Sequence, residues 1–150
     1  IERYGMKAIV QRVLQAQVQV DGKVVGSIEK GFLTYIGVGL NDKPASAEKL
    51  ADKVGGLRIF EDGAGKMNLS LQDVGGDILA IPNFTLLADA SQGRRPAFSA
   101  AAPSVSAEPV FAHFILSLRQ MGLTVSSGMF GADMIITSKA EGPVNILLEA

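Results

Sequence analysis

The sequence predicts an α+β fold: a mostly antiparallel, barrel-like sheet with two helices, in a single domain. Three observations lead there. From Ala8 to Val20, apolar even positions alternate with mostly polar odd ones, the period of a strand with one buried face. Two stretches keep helical spacing: Ala47, Leu50, Ala51, Val54, and then Val110, Phe111, Phe114, Ile115, Leu118, Met121. The other apolar runs are short and bounded by turn residues, so the strands come largely in hairpins.

Taken in order, the first strand carries Ala8, Val10, Arg12, Leu14, Ala16, Val18 and Val20 on its apolar phase. Asp21-Gly22 marks a hairpin turn, and Lys23 to Ile28 is a short strand. Lys30-Gly31 turns into Phe32 to Val38, apolar enough for a central strand. Asn41 to Pro44 leads into the first helix, which Gly55-Gly56 ends. Leu57 to Phe60 reads as a strand and Glu61 to Gly65 as a turn. Lys66 to Leu71 is polar-alternating, and Gly75-Gly76 breaks it. Ile78 to Leu87 is an apolar run that bends or bulges at Pro82-Asn83, because proline cannot donate to a ladder. Asp89 to Pro103 is a long loop of the kind that carries function or moves. Ser106 caps the second helix and Gly122 stops it. Leu123 to Ser126, Ala132 to Ser138 and Val144 to Leu148 complete about seven or eight strands, the last two joined by a turn that holds Gly142-Pro143.

With 150 residues, 47% apolar and 19% charged, the chain is long enough and apolar enough for one real core. No internal repeat, linker or second domain shows. Ile1 to Gly5 precede the first strand pattern and read as an expression remnant, leaving residues 6–150 as the domain. No apolar run approaches the ~18 residues of a membrane span, and the start lacks the shape of a signal peptide, so no membrane partner is expected. The absence of cysteine excludes disulfides, thiolate nucleophiles and Cys-based zinc sites. A net charge of −1 argues against coating nucleic acid non-specifically, while leaving room for a grip on the end of an RNA.

Arg12 puts a cation on the apolar phase. A buried guanidinium must be paired or hydrogen-bonded. It either makes a structural ion pair or donates to backbone carbonyls near a site. Gly142-Pro143 also has two readings. It is a turn before a strand, or it presents two bare carbonyl oxygens in a fixed direction, since glycine reaches unusual backbone angles and proline removes an N–H. His113, the one histidine, lies one position off its helix's apolar stripe and reads as a solvated residue, not a general base. Gly63-Ala64-Gly65-Lys66 lacks the first glycine and the closing Ser or Thr of a phosphate loop; Phe60 and Met67 stand there instead. Glu61-Asp62 has no spaced partner for a metal, so no metal is expected. Arg94 and Arg95 beside Phe98 are either solvated or hold a phosphate and stack a base. No side-chain nucleophile has a base beside it. An enzyme built from what remains works by positioning and by backbone donors, with its substrate supplying part of the catalysis.

Six segments, in this order and spacing, resemble the D-aminoacyl-tRNA deacylases, formerly D-tyrosyl-tRNA deacylases, over Met6 to Glu149. They are Gln11-Arg12-Val13; Arg58-Ile59-Phe60 through Lys66-Met67-Asn68-Leu69; Phe84-Thr85-Leu86; Gly93 with Arg95-Pro96 and Phe98; Phe130-Gly131-Ala132-Asp133-Met134; and Gly142-Pro143-Val144. The resemblance implies a cytoplasmic homodimer, without cofactor, that hydrolyses the ester joining a D-amino acid or glycine to the 3′ end of tRNA. It places the active site at the subunit interface. It makes Gly142 and Pro143 a cis selectivity filter that reaches into the partner's pocket and excludes an L side chain, with Arg12 bracing it. Thr85, with Phe84 and Asn83, would face the scissile carbonyl as the catalytic group, while the 2′-hydroxyl of the terminal adenosine assists attack by water. Pro82, Leu86, Arg95, Phe98, Phe130, Met134 and Asn145 would contact the substrate.

The chain departs from the family pattern on the pocket side. Ser-Gln usually precedes Phe-Thr-Leu, where Pro82-Asn83 stands here. Asn usually lies two residues before Gly-Pro, where Ala140 stands, and Thr usually follows Gly-Pro-Val, where Asn145 stands. A related animal subgroup that also has proline at the first of these positions has a trans Gly-Pro peptide and accepts some L-aminoacyl-tRNA. Two other readings therefore stand beside the first. One is a family member with altered specificity, for glycine or a small L-amino acid on mismatched tRNA. The other is a non-catalytic module that binds a tRNA end or a protein.

Overall fold

The computed structural model describes residues 5–150. The expected expression remnant falls, apart from Gly5, outside the described residues; Gly5 itself is buried. The elements are β1 (Lys7–Val20), β2 (Lys23–Ile28), β3 (Gly31–Gly37), α1 (Pro44–Gly55), β4 (Phe60–Glu61), β5 (Met67–Leu69), α2 (Leu71–Val74), β6 (Asp77–Pro82), a 3₁₀ turn (Phe84–Leu87), α3 (Ser104–Gln120), β7 (Val125–Ser127) and β8 (Ile135–Glu149).

The main sheet runs β2-β1-β3-β6-β7, with β8 on the other edge of β1. β1 is long enough to pair with β3 through its first half and β2 through its second, while β8 follows it over both. These pairs are antiparallel. β3–β6 and β6–β7 are parallel, because α1 to α2 and then α3 cross over between them. The sheet curls until β7 meets β2, where Ser126 Oγ donates to the Ser27 carbonyl at 3.3 Å. The result is a nearly closed, barrel-like mixed sheet.

The curl creates two apolar layers. Outside, Ala47, Leu50, Ala51 and Val54 of α1 and Phe111, Phe114 and Leu118 of α3 cover Val10, Phe32, Ile36, Ile78 and Ala80. Inside, Val13, Ala16, Val18, Leu33, Leu79 and Ile81 fill the curve. β6 is buried on both faces, hence its unbroken apolar run.

Several expected boundaries move, each for a physical reason. Ala132 to Ser138 and Val144 to Leu148 are not two strands around a turn but parts of one strand, β8. The long β1 pairs with both arms, and Gly142-Pro143 sits in a bulge between them. Gln11 pairs Asn145 and Val13 pairs Ala140, so four residues, Glu141 to Val144, oppose the single Arg12. One step on, Val13 pairs Ala140 and Gln15 pairs Lys139, leaving Leu14 as an extra residue on β1. Leu14 is therefore turned out to solvent and Val13 takes its place inside. Leu57 to Phe60 is strand only from Phe60, because the Ile59 carbonyl accepts from Arg12 rather than from a neighbouring strand. Lys66 to Leu71 gives a three-residue β5 followed by a third, one-turn helix, α2. Ser70 and Asp73 cap it reciprocally and Gly75, at φ 66°, ends it. β6 stops at Pro82 rather than bending through it. α3 starts at Ser104, with Pro103 rather than Ser106 at its cap, and β7 begins two residues late, at Val125. Among the described residues, no helix is long and apolar enough to cross a membrane.

Candidate active site

Where β6 runs out, Pro82 to Leu87 forms a corner. The Asn83 N–H donates to the Ile36 carbonyl at 2.7 Å, tying the corner to the end of β3. It packs so closely that a Cβ on Gly37 would lie 2.4 Å from the Leu87 side chain and 2.9 Å from that of Leu86. Leu86 is thus a packing residue, half-buried against β3. Asn83 Oδ1 accepts from the Thr85 N–H at 3.1 Å and also from the Thr85 hydroxyl. This double capture closes the 3₁₀ turn and spends the one Thr85 proton, so toward solvent Thr85 Oγ1 offers lone pairs. Phe84 is held outward, 58% exposed, with its ring edge-on to Phe98 at 5.1 Å between centroids.

The corner separates two cavities. One, of about 420 Å³, lies between Pro82, Asn83, Phe84, Phe98, Phe130 and the start of α3 at Pro103 and Ser104. Phe130 is steadied by Phe111, 6.0 Å away. The other, of about 370 Å³, is walled by Tyr35, Asn83, Phe84, Asp133 and Met134. Tyr35 escaped the sequence reading, since one aromatic in the apolar run Phe32 to Val38 signals only a strand. Burial pushes its phenol above the ordinary value. The Arg95 loop is closed at its base by reciprocal Asp89–Ala97 backbone bonds of 2.7 and 2.8 Å. Arg95 itself is exposed at the loop tip.

The second grouping surrounds the β8 bulge. Arg12 is 6% exposed. Its Nη1 donates to the Ile59 carbonyl at 2.8 Å and its Nε to the Glu141 carbonyl at 3.2 Å, with a Glu141 carboxylate oxygen 3.4 Å from Nε. Arg12 is thus both ion-paired and hydrogen-bonded to two backbone carbonyls. The Gly142–Pro143 peptide is cis. Gly142 has φ 153°, and a Cβ there would lie 2.2 Å from the Val144 nitrogen, so the position accepts only glycine. A cavity of about 290 Å³ beside it is lined by Arg12, Lys30, Phe60, Glu61, Glu141 and Gly142. None of these residues lines either cavity at the Phe84 corner. Asn145 closes the bulge opposite Gln11 and is likewise absent from both corner cavities. The chain therefore gathers Pro82, Asn83, Phe84, Phe98, Phe130 and Met134 at one place and Arg12, Gly142 and Asn145 at another.

Other candidates resolve into structure. His113 Nε2 lies 2.7 Å from Glu48, stapling α3 to α1. The Asp62 carboxylate accepts from the Lys66, Ala64 and Asn68 donors of its own turn, which lowers its pKa. Among the described residues, no group of three or more His, Cys, Asp or Glu is placed to hold a metal.

A family model described as D-Tyr-tRNA(Tyr) deacylase matches residues 9–149. The chain belongs to this deacylase family. It is 51% identical over 144 residues to a D-aminoacyl-tRNA deacylase of Rhodopirellula baltica, covering 96% of this chain and 99% of the relative. It is 47% identical over 145 residues to one from Thermotoga petrophila, covering 97% of each. Among solved structures, the c-Myc DNA unwinding element binding protein superposes with a TM-score of 0.90 at 36% identity, over 96% of this chain and 98% of that one. A probable eukaryotic D-amino acid tRNA deacylase superposes with a TM-score of 0.85 over 97% of this chain and 99% of that one; at 17% identity it shows the shared deacylase fold alone.

Proposed function

We propose that this chain hydrolyses the ester bond of D-aminoacyl-tRNA, and of glycyl-tRNA, to free amino acid and tRNA. The observation that carries the reading is the separation of the two groupings. The Phe84–Thr85 corner and the Gly142–Pro143 bulge are both exposed, yet they line different cavities of one chain. A second copy brings them together. Among the described residues the outer edge of β8 has no partner strand, and Ile135 and Leu147 on it are 67% and 62% exposed, which suits pairing with another copy.

In the assembled site, the aromatic cavity of Phe84, Phe98 and Phe130 takes the terminal adenosine by stacking, with Arg95 flanking the phosphates. The acyl group lies across the corner, in the second cavity. Water attacks the acyl carbon, the ester C–O bond breaks, and the 3′-oxygen of the ribose leaves with a proton. The Phe84 amide, first in its turn and without a carbonyl ahead of it, donates to the developing oxyanion. Thr85 Oγ1, its proton spent on Asn83, accepts from water or from the 2′-hydroxyl that assists it. The partner's filter, steadied by Arg12, crowds an L side chain with carbonyl oxygens. In this reading the protein acts in the cytoplasm on the tRNA 3′ end.

The test is release of amino acid from D-Tyr-tRNA, L-Tyr-tRNA and Gly-tRNA. Loss of D-Tyr and glycine with L-Tyr spared supports the reading. A second reading, altered specificity, draws on Pro82 and Asn83: proline lacks an N–H, and the Asn83 oxygen is consumed by Thr85. Hydrolysis of a small L-aminoacyl-tRNA would favour it. Binding without turnover would instead leave a tRNA-end binding module.

A further inference from the structure

The segment from Arg58 to Leu69 takes no part in the chemistry above, yet it carries the far end of the filter's brace. Arg12 donates to the Glu141 carbonyl through Nε and to the Ile59 carbonyl through Nη1. Ile59 leads into the β4–β5 hairpin, a two-stranded sheet that no third strand joins among the described residues. Such a ribbon is marginal alone, so other contacts must fix it. On its buried side Phe60 stacks on Phe32, with 5.2 Å between ring centroids and 5° between planes. On its exposed side Arg58 Nε donates to the Asn68 carbonyl at 2.8 Å, and Arg58 Nη2 donates to Asn68 Oδ1. The register explains why that carbonyl is free. Phe60 pairs Leu69 and Glu61 pairs Met67, so Asn68 is an extra residue that bulges from the ladder. Asn68 Nδ2 in turn donates to Asp62 at 3.2 Å, and the other Asp62 oxygen accepts from the Ala64 and Lys66 N–H groups at the hairpin tip. Two bulges are thus each held by an arginine, and Arg58 stands one residue before the carbonyl that Arg12 takes. The cavity of about 290 Å³ lined by Phe60, Glu61, Glu141 and Gly142 leaves room between hairpin and filter. Among the described residues, the hydrogen bonds that join the two are those of Arg12.

We propose that Arg58 and Asn68 are positioning residues for the filter: by clamping the hairpin they aim the Ile59 carbonyl at Arg12, which in turn fixes the Glu141 carbonyl and the Gly142–Pro143 peptide after it. Neither residue lines a cavity at the Phe84 corner. The clamp therefore bears on the rejection of an L side chain and not on attack at the ester. The inference rests on the deacylase reading, which makes Gly142–Pro143 a filter.

The experiment compares wild type, Arg58→Ala, Asn68→Ala, Arg12→Lys and the Arg12→Lys/Arg58→Ala double variant. Hydrolysis of D-Tyr-tRNA and L-Tyr-tRNA is followed with enzyme in excess, so that slow L turnover is read above the spontaneous rate. Arg58→Ala is expected to lower the D-over-L rate ratio about fivefold, the scale of one net hydrogen bond, by raising the L rate. Asn68→Ala, which leaves the main-chain carbonyl to Arg58, lowers it about threefold and decides the matter if Arg58→Ala does not fold. The double variant discriminates no worse than Arg12→Lys alone, because both changes cut one chain of contacts. A merely structural role would lower the folded fraction and scale both rates alike. An unchanged ratio therefore overturns the proposal, as do D and L rates that fall together. Additive losses in the double variant also overturn it, since Arg58 would then act by a route other than Arg12. Hydrogen exchange of the Arg12 Nε–H, read by nitrogen-edited NMR, tests the link without substrate: it should quicken about fivefold in Arg58→Ala, and an unchanged rate overturns the proposal. Wild-type protein that leaves D-Tyr-tRNA intact defeats the deacylase reading instead, and the exchange rate still decides whether the hairpin holds Arg12.

Discussion

Arg12 and Glu141 meet across the break in the β1–β8 ladder, where the Arg12 Nε donates to the Glu141 carbonyl at 3.2 Å, one residue before Gly142. Since the other arm of the guanidinium holds the Ile59 carbonyl at 2.8 Å, one buried side chain ties the start of the bulge to the segment that leads into β4. Glu141 is out of register with the β1 backbone, and the Arg12 guanidinium supplies the donor that its carbonyl takes.

Arg12→Lys keeps the charge but loses the planar fork that reaches two carbonyls at once. It is expected to destabilise the protein by about 2 kcal/mol in urea unfolding, the cost of leaving buried acceptors poorly met. In the deacylase assay it should relax the L/D discrimination more than it slows D-Tyr-tRNA turnover. A variant with wild-type stability and discrimination would remove Arg12 from its bracing role.

Thr85→Ala removes an exposed hydroxyl whose internal bond is to its own turn. Its turnover of D-Tyr-tRNA is expected to fall about 100-fold, the usual scale for a lost transition-state positioning contact. The unfolding midpoint should stay within a degree or two of wild type, since surface changes cost little. Single-turnover kinetics at saturating enzyme separate this loss from weakened binding.

Thr34 offers a stability test away from the site. It is fully buried in β3, and its hydroxyl has no hydrogen-bond partner among the described residues. Thr34→Val replaces that hydroxyl with a methyl group of similar size. It is expected to stabilise the fold by about 1 kcal/mol, read as a higher urea midpoint at unchanged slope.

Asp62 governs part of the acid limb of stability. Donors from Lys66, Ala64 and Asn68 hold its carboxylate below the ordinary aspartate range. A depressed folded pKa contributes stability that is present above the unfolded value, about 3.9, and is lost as pH falls through the folded one. Asp62→Ala should therefore be less stable than wild type at neutral pH, and the gap should close as pH drops below about 4. Paired urea titrations across that range measure it.

Local signals that agree with their surroundings were legible in the sequence. The stripe Ala47, Leu50, Ala51, Val54 is the buried face of α1, and Asp21-Gly22, both at positive φ, makes the β1–β2 hairpin. The two strands expected around Gly142-Pro143 failed because a Gly-Pro pair announces a turn. Whether the chain instead bulges within one strand depends on the reach of a strand more than a hundred residues earlier. α2 could have been found, since Ser70 and Asp73 have capping-box spacing before Gly75. The corner was half legible. Pro82 signals an interruption, but the capture of Thr85 by Asn83 depends on side-chain geometry that no periodicity encodes. Tyr35 joins the site through the parallel register of β3 and β6, a tertiary fact.

The most direct test of the central claim, that each site takes its corner from one copy and its filter from another, is complementation. Thr85→Ala and Pro143→Ala chains are each purified and assayed on D-Tyr-tRNA, then co-refolded in equal amounts. A mixed dimer then holds one site with both defects and one with neither. The account predicts nearly inactive parents and recovery of about a quarter of wild-type activity, since half the dimers are mixed and each carries one intact site of two. No recovery, with mixed dimers shown to have formed, would place the whole site within a single chain and contradict the account.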